Sequence, residues 1–143
     1  MAETRLKMAL VGCGGIAQVH WQGIKEIASR VDVTAVVDTN SDSATAMSQL
    51  TGAEAFFDLE EALKNGDFEA VDIMLPHNLH ESAALACFSA GKHVLLEKPM
   101  AHSLESAERI VSQHPCPGVF HTQFRDQTRR DIGKSQSKWT APK

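Results

Sequence analysis

The stretch that most constrains this chain is Val11-Gly-Cys-Gly-Gly-Ile-Ala17, a glycine-rich turn between a strand-length apolar run and a helix-period segment. Before it, Lys7 to Val11 is short and apolar. After it, Ile16, Val19/His20, Ile24 and Ile27/Ala28 recur at the spacing of one helix face. The turn fits G-x-G-x-x-(G/A), with Gly12, Gly14 and Ala17 in the three small positions. Each makes a physical demand: the first permits a tight turn, the second a close backbone approach to a ligand, and the third close helix–strand packing. Any glycine-rich turn of this kind can imitate the pattern, so a plain tight turn stays open at this point.

The same alternation continues downstream. Val31 to Val37 is β-branched and apolar apart from Asp32 and Thr34. Thr39-Asn40-Ser41 offers N-cap chemistry for a helix that runs through Ala44, Met47 and Leu50 to Gly52. Ala53 to Phe57 reads as a short strand and Leu59 to Leu63 as a helical turn or two. Val71 to Leu75 is a strand closed by Pro76. Asn78 and Glu81 match a capping box for a helix through Ala90, and Val94 to Leu96 is the next strand. Ser103 then caps a helix whose apolar face is Leu104, Ala107 and Ile110/Val111. Near-continuous apolar strands separated by helices predict a doubly wound α/β fold with a parallel sheet covered on both faces. Val119 to Phe124 is a candidate sixth strand. The expected organisation is one domain over residues 1–124 and an irregular basic tail or truncated connector over 125–143.

Asp38 narrows the ligand. It ends the second strand, 21 residues after Ala17. A carboxylate there can accept hydrogen bonds from an adenine ribose and repels a 2′-phosphate, while the turn's helix start suits a pyrophosphate. No Arg or Lys follows Asp38 closely, so NAD is preferred over NADP. Asp38 as a simple turn residue is the weaker alternative, because Asn40 and Ser41 already supply capping groups.

Composition excludes several classes. At 143 residues and 43% hydrophobic content the chain has one domain's worth of core, and its net charge of −4 does not point to nucleic acid or an anionic membrane. Charge is uneven: Arg125, Arg129, Arg130, Lys134, Lys138 and Lys143 outnumber Asp126 and Asp131 in the tail. Such a run is more often a solvated segment than a nucleic-acid patch. Three scattered cysteines (Cys13, Cys87, Cys116) form no disulfide framework, and no signal or membrane-span pattern occurs, so a reducing cytoplasm is the expected compartment. His77 and His80 form H-x-x-H, but further ligands at zinc spacing are missing, so no metal site is expected. Cys13 has no partner residue and reads as a variable position of the turn.

Parallel-sheet ligands bind outside the carboxyl ends of the strands, and two more loops reach that edge: Pro76-His-Asn-Leu-His80 and Glu97-Lys-Pro99. With these in place the chain resembles the N-terminal half of the Gfo/Idh/MocA oxidoreductase family. The matching pieces are VGCGGIAQVH at 11–20, VVD at 36–38, VDIMLPHNLH at 71–80 and GKHVLLEKPMA at 91–101. They span roughly residues 5–113, and Glu-Lys-Pro after the fifth strand discriminates most. The resemblance implies a Rossmann fold and hydride transfer between a nicotinamide dinucleotide and a hydroxyl of a small polyol or sugar-like substrate. It implies that backbone around Gly14, Gly15 and Ile16 holds the pyrophosphate and that Asp38 holds the adenosine ribose. Leu75, Pro76 and His77 would line the dinucleotide path, with His80 supporting that loop. Glu97 would contact the nicotinamide-side ribose. Lys98 would stand beside the reacting carbon as the catalytic residue, aimed by Pro99, often through a cis peptide.

The chain departs from that family in length and at its end. Family members carry a second domain that supplies substrate contacts, oligomer contacts and a histidine in a D-x-x-x-H pattern; neither Asp126 nor Asp131 is followed by His at that spacing. A truncated or divergent-ended chain is the expectation, with self-association through uncovered apolar surface. The alternatives are a dinucleotide-binding unit without turnover and, more distantly, a methyltransferase, in which Glu97-Lys-Pro99 has no role.

Overall fold

The computed structural model describes residues 4–113. Five strands and five α-helices alternate: β1 (Leu6–Val11), α1 (Gly15–Glu26), β2 (Val31–Val37), α2 (Ser41–Thr51), β3 (Glu54–Phe56), α3 (Leu59–Asn65), β4 (Ala70–Ile73), α4 (His80–Ser89), β5 (His93–Leu96) and α5 (Leu104–Gln113). A single 3-10 turn, His77–Leu79, precedes α4. All strand pairs are parallel, in the order β3-β2-β1-β4-β5. The chain therefore reverses its direction of travel across the sheet between β1 and β4, which opens a crevice at the carboxyl edge.

Strand residues alternate between two buried layers. Val11, Val37, Ile73 and Leu96 pack with Ala84 and Cys87 of α4 and Ile110 of α5. Leu10 and Val36 point the other way, onto Ala17 of α1 and Met47 of α2. Burial on both faces is why the strands read as apolar runs and not as alternating ones. The doubly wound parallel sheet is thus observed as expected. Helix starts behave locally: Asn40 Oδ1 accepts from Ser43 N at 3.0 Å, Asp58 Oδ2 from Glu61 N at 3.0 Å, and Ser103 Oγ from Ser106 N at 3.1 Å.

Three expectations are corrected. The capping box at Asn78 does not form. The 3-10 turn leads directly into α4 with no side-chain cap, and Glu81 instead accepts from Ser106 Oγ at 2.5 Å and from Arg109 of α5. A long-range charged pair outcompetes the local cap for that carboxylate. The predicted apolar face of α1 is rotated in part: His20 is buried and Ile24 packs against the core as expected, but Ala17 is buried beside them while Ile16, Val19 and Ile27 are exposed. On α5, Ser106 and Ile110 are buried, whereas Leu104 and Val111 face out. Periodicity gives the existence of a helix more securely than the facing of its stripe, because small and polar residues also enter interfaces. The candidate strand 119–124, Cys116 and the basic run 125–143 lie outside the described residues. Among the described residues no helix is long and apolar enough to cross a membrane.

Candidate functional site

The glycine turn is held by backbone crowding. Gly12 has φ +96°, and a Cβ there would stand 2.8 Å from the Met74 carbonyl oxygen. Its N–H donates to Val37 O at 2.8 Å, so the turn is tied to β2 on one side and pressed against the end of β4 on the other. Only glycine meets both conditions. Beyond it, Gly14 is the N-cap of α1, with no side-chain cap and no acidic residue in the first turn. A Cβ at Gly14 or Gly15 would meet nothing within 4 Å, and Ile16 is exposed, whereas Ala17 is buried against the sheet. The helix thus offers its positive end, uncapped, to the carboxyl edge.

Asp38 closes this half. Its Oδ2 accepts from Cys13 N and its Oδ1 from Asn40 N, each at 2.8 Å. The carboxylate is pinned beside the turn and retains lone pairs for a further donor. Cys13 is buried, its thiol donating weakly to Val37 O at 3.6 Å. Burial, with Asp38 adding, pushes that thiol up to about 12, so it is a packing group and not a nucleophile.

The other half stands on β4 and β5. Leu75 is half-buried, and Pro76 and His77 are exposed. His80 faces inward: its Nε2 lies 2.7 Å from Leu75 O and its Nδ1 2.9 Å from Pro99 O. It therefore staples the loop after β4 to the turn after β5. His77 is exposed, whereas both ring nitrogens of buried His80 lie against carbonyl oxygens. Glu97 N continues the β4–β5 ladder by donating to Ile73 O at 2.9 Å. Lys98 is exposed, and the Lys98–Pro99 peptide is cis.

Between the halves lies a constellation that sequence reasoning missed. His20 of α1 has Nδ1 2.6 Å from Asp72 Oδ2 and Nε2 3.0 Å from Glu97 Oε1. The side chains of His20 and Asp72 are 5% and 1% exposed, so this is an interior network and not a surface pair. Glu97 Oε2 in turn accepts from Lys98 N at 2.8 Å. Hydrogen bonding to Asp72, reinforced by Glu97, raises the His20 pKa against the opposing effect of burial. Desolvation raises that of Asp72. We assign the proton to His20, because one imidazolium between two carboxylates satisfies both. The available signal was Asp72 itself, an acid in the middle of an otherwise apolar buried strand, which must find a partner. A cavity of about 220 Å³ on the α1 flank adjoins this network, lined by His20 and Asp72 together with Met8, Ile24, Val31 and Leu95.

The donor set suits a dinucleotide: free amides at an uncapped glycine-rich helix start for a pyrophosphate, and a pinned carboxylate at the end of β2 for a ribose. The comparisons agree. Residues 6–115 match an oxidoreductase family described as having an NAD-binding Rossmann fold. The chain is 38% identical over 132 residues to an inositol 2-dehydrogenase from Pseudarthrobacter chlorophenolicus, covering 92% of this chain and 39% of that protein. It is 33% identical over 115 residues to 4-carboxy-2-hydroxymuconate-6-semialdehyde dehydrogenase from Sphingobium sp., covering 80% and 36%. The WlbA dehydrogenase from Bordetella pertussis, solved with NADH and UDP-GlcNAcA, superposes with a TM-score of 0.75 at 34% identity, covering 77% of this chain and 34% of that one. A 3-ketoreductase from Actinomadura kijaniata, solved with TDP-benzene and NADP, gives 0.71 at 29%, covering 78% and 35%. The chain thus spans little more than a third of the length of these relatives. It belongs to the Gfo/Idh/MocA oxidoreductase family and forms that family's NAD-binding Rossmann domain.

Proposed function

We propose that this chain binds NAD in preference to NADP across its carboxyl edge and serves a hydride transfer involving the hydroxyl of a small polyol or sugar-like molecule. The observation that carries the cofactor reading is the Asp38 carboxylate, fixed by Cys13 N beside an uncapped helix start. The amides of Gly14, Gly15 and Ile16 face the pyrophosphate, with the positive end of α1 behind them. Asp38 takes the adenosine ribose hydroxyls, and its charge repels the 2′-phosphate of NADP. Leu75, Pro76 and His77 form the wall along which the rest of the dinucleotide lies, and His80 carries that wall from below. Inositol 2-dehydrogenases among the relatives support the polyol class.

When bound, the nicotinamide ring supplies a hydride acceptor. Lys98 is exposed at the turn after β5, where its ammonium donates a hydrogen bond to the substrate oxygen and stabilises the developing alkoxide, while the hydroxyl proton goes to a separate base. Glu97 has two lone-pair directions already used, by His20 and Lys98 N, and offers the remainder to the nearer ribose. The unit spans residues 1–124 and works in a reducing cytoplasm, in keeping with its free cysteines Cys13 and Cys87.

Calorimetric titration with NAD and NADP, on wild type and on Asp38→Ala, tests this reading. Saturable binding that favours NAD, with the preference lost in the variant, supports it. A folded chain that binds neither nucleotide sinks it.

A further inference from the structure

Resting on that cofactor reading, we propose that Asp72, His20 and Glu97 form an internal strut that fixes the Glu97-Lys98-Pro99 turn, with His20 as a positioning residue. The strand ladder alone does not do this. It holds Glu97 N on Ile73 O, but it leaves the Glu97 side chain and the turn beyond without a fixed direction. The carboxylate supplies the direction by splitting its two oxygens: Oε1 meets His20 Nε2 at 3.0 Å, and Oε2 meets Lys98 N at 2.8 Å. The backbone of the lysine thus hangs on the carboxylate that His20 holds.

The strut is anchored in the buried interior of the sheet. Asp72 sits in β4, in register with Leu10 of β1 and Leu95 of β5. Its Oδ1 has no hydrogen-bond partner among the described residues, so His20 is its compensating group. An imidazole whose two nitrogens both face carboxylates donates from both when it carries two protons. His20 belongs to the same helix whose N-terminus faces the pyrophosphate site, about 8 Å along the axis from Gly15. One rigid helix therefore registers both ends of the cofactor path. A pair that merely docked α1 onto β4 would need Asp72 and His20 alone; the third member and its bond to Lys98 N are what the strut adds.

The test uses the full chain with ¹⁵N-labelled histidine and assigned amides, together with titrations of NADH and ADP, which shares the adenosine and pyrophosphate but lacks the second ribose and the nicotinamide. Expected for wild type is a His20 ring protonated on both nitrogens at neutral pH. In His20→Asn, with the fold verified by circular dichroism, Lys98 amide exchange speeds up and NADH weakens about tenfold while ADP stays within about twofold, a separation of roughly 1 kcal/mol. Asp72→Asn moves both readouts in the same direction. A neutral single-tautomer His20 in wild type overturns the strut, as does equal weakening of both ligands or an unchanged Lys98 amide. Wild type that binds neither ligand defeats the cofactor reading separately. The His20 spectrum and the Lys98 amide then decide the strut without any ligand, and the wild-type His20 spectrum remains decisive if His20→Asn does not fold.

Discussion

On the β1/β2 side of the carboxyl edge, the polar groups presented are backbone amides and one carboxylate, drawn from residues 12–17 and 38. On the β4/β5 side, position depends on side chains reaching across the fold. His20 joins Asp72 and Glu97, and His80 joins Leu75 and Pro99. The first half is a geometric device, in which crowding at Gly12 and an open helix start do the work. The second is an electrostatic one, in which buried charges must satisfy each other. Damage to the two should therefore look different: backbone strain on one side, uncompensated charge on the other.

The largest expected effect is on the electrostatic side. His20→Ala leaves Asp72 buried without its counter-charge and should lower unfolding free energy by about 4 kcal/mol in urea titrations. An unchanged midpoint would mean the network is not ionic. Gly12→Ala comes next, at about 3 kcal/mol, because it adds both a positive-φ penalty and a Cβ 2.8 Å from the Met74 oxygen. Nucleotide binding should fall with it, while the His20 ring signals stay as in wild type.

The pH dependence separates the network from an ordinary surface pair. The His20 pKa is raised in the folded state, so its contribution is complete below about pH 6.5 and is lost as pH rises through the folded value. The Glu81 carboxyl is held down to about 2, first by Arg109 and then by Ser106, so its contribution is complete above its unfolded value near 4.3 and is lost as pH falls toward 2. Urea midpoints measured from pH 3 to 9 should therefore lose their alkaline slope in the double variant His20→Asn/Asp72→Asn, which removes both groups with raised pKa values, and their acid slope in Glu81→Gln. The smallest effect belongs to Val19→Ser: at 61% exposed, it should change stability by no more than about 0.5 kcal/mol, despite its place in the apolar periodicity of α1. A larger loss would restore the unrotated face.

The strand–helix alternation and the glycine turn of the candidate site were legible in the residues because their causes are local. Gly12 marks a turn that excludes a side chain, Ala17 a close packing point, and Asp38 a strand end, each at a fixed chain spacing. Asn40 and Ser103 announced helix starts that form as read, since a side-chain oxygen three residues from an amide needs no help from elsewhere. Asn78 and Glu81 carried the same local signature and did not form a cap, because Arg109 and Ser106 of α5 arrive at Glu81 with a stronger, charge-assisted claim.

By itself, then, the sequence determined a parallel α/β domain with a dinucleotide-type turn, through periodicity and through backbone demands that act over a few residues. Tertiary structure alone decided which face of α1 turns inward, where His20 goes, and which carboxylates share its proton. These depend on groups 52 and 77 residues apart in the chain. No spacing rule records such distances. They are set by the burial of charge, which has meaning only once the sheet has closed over it.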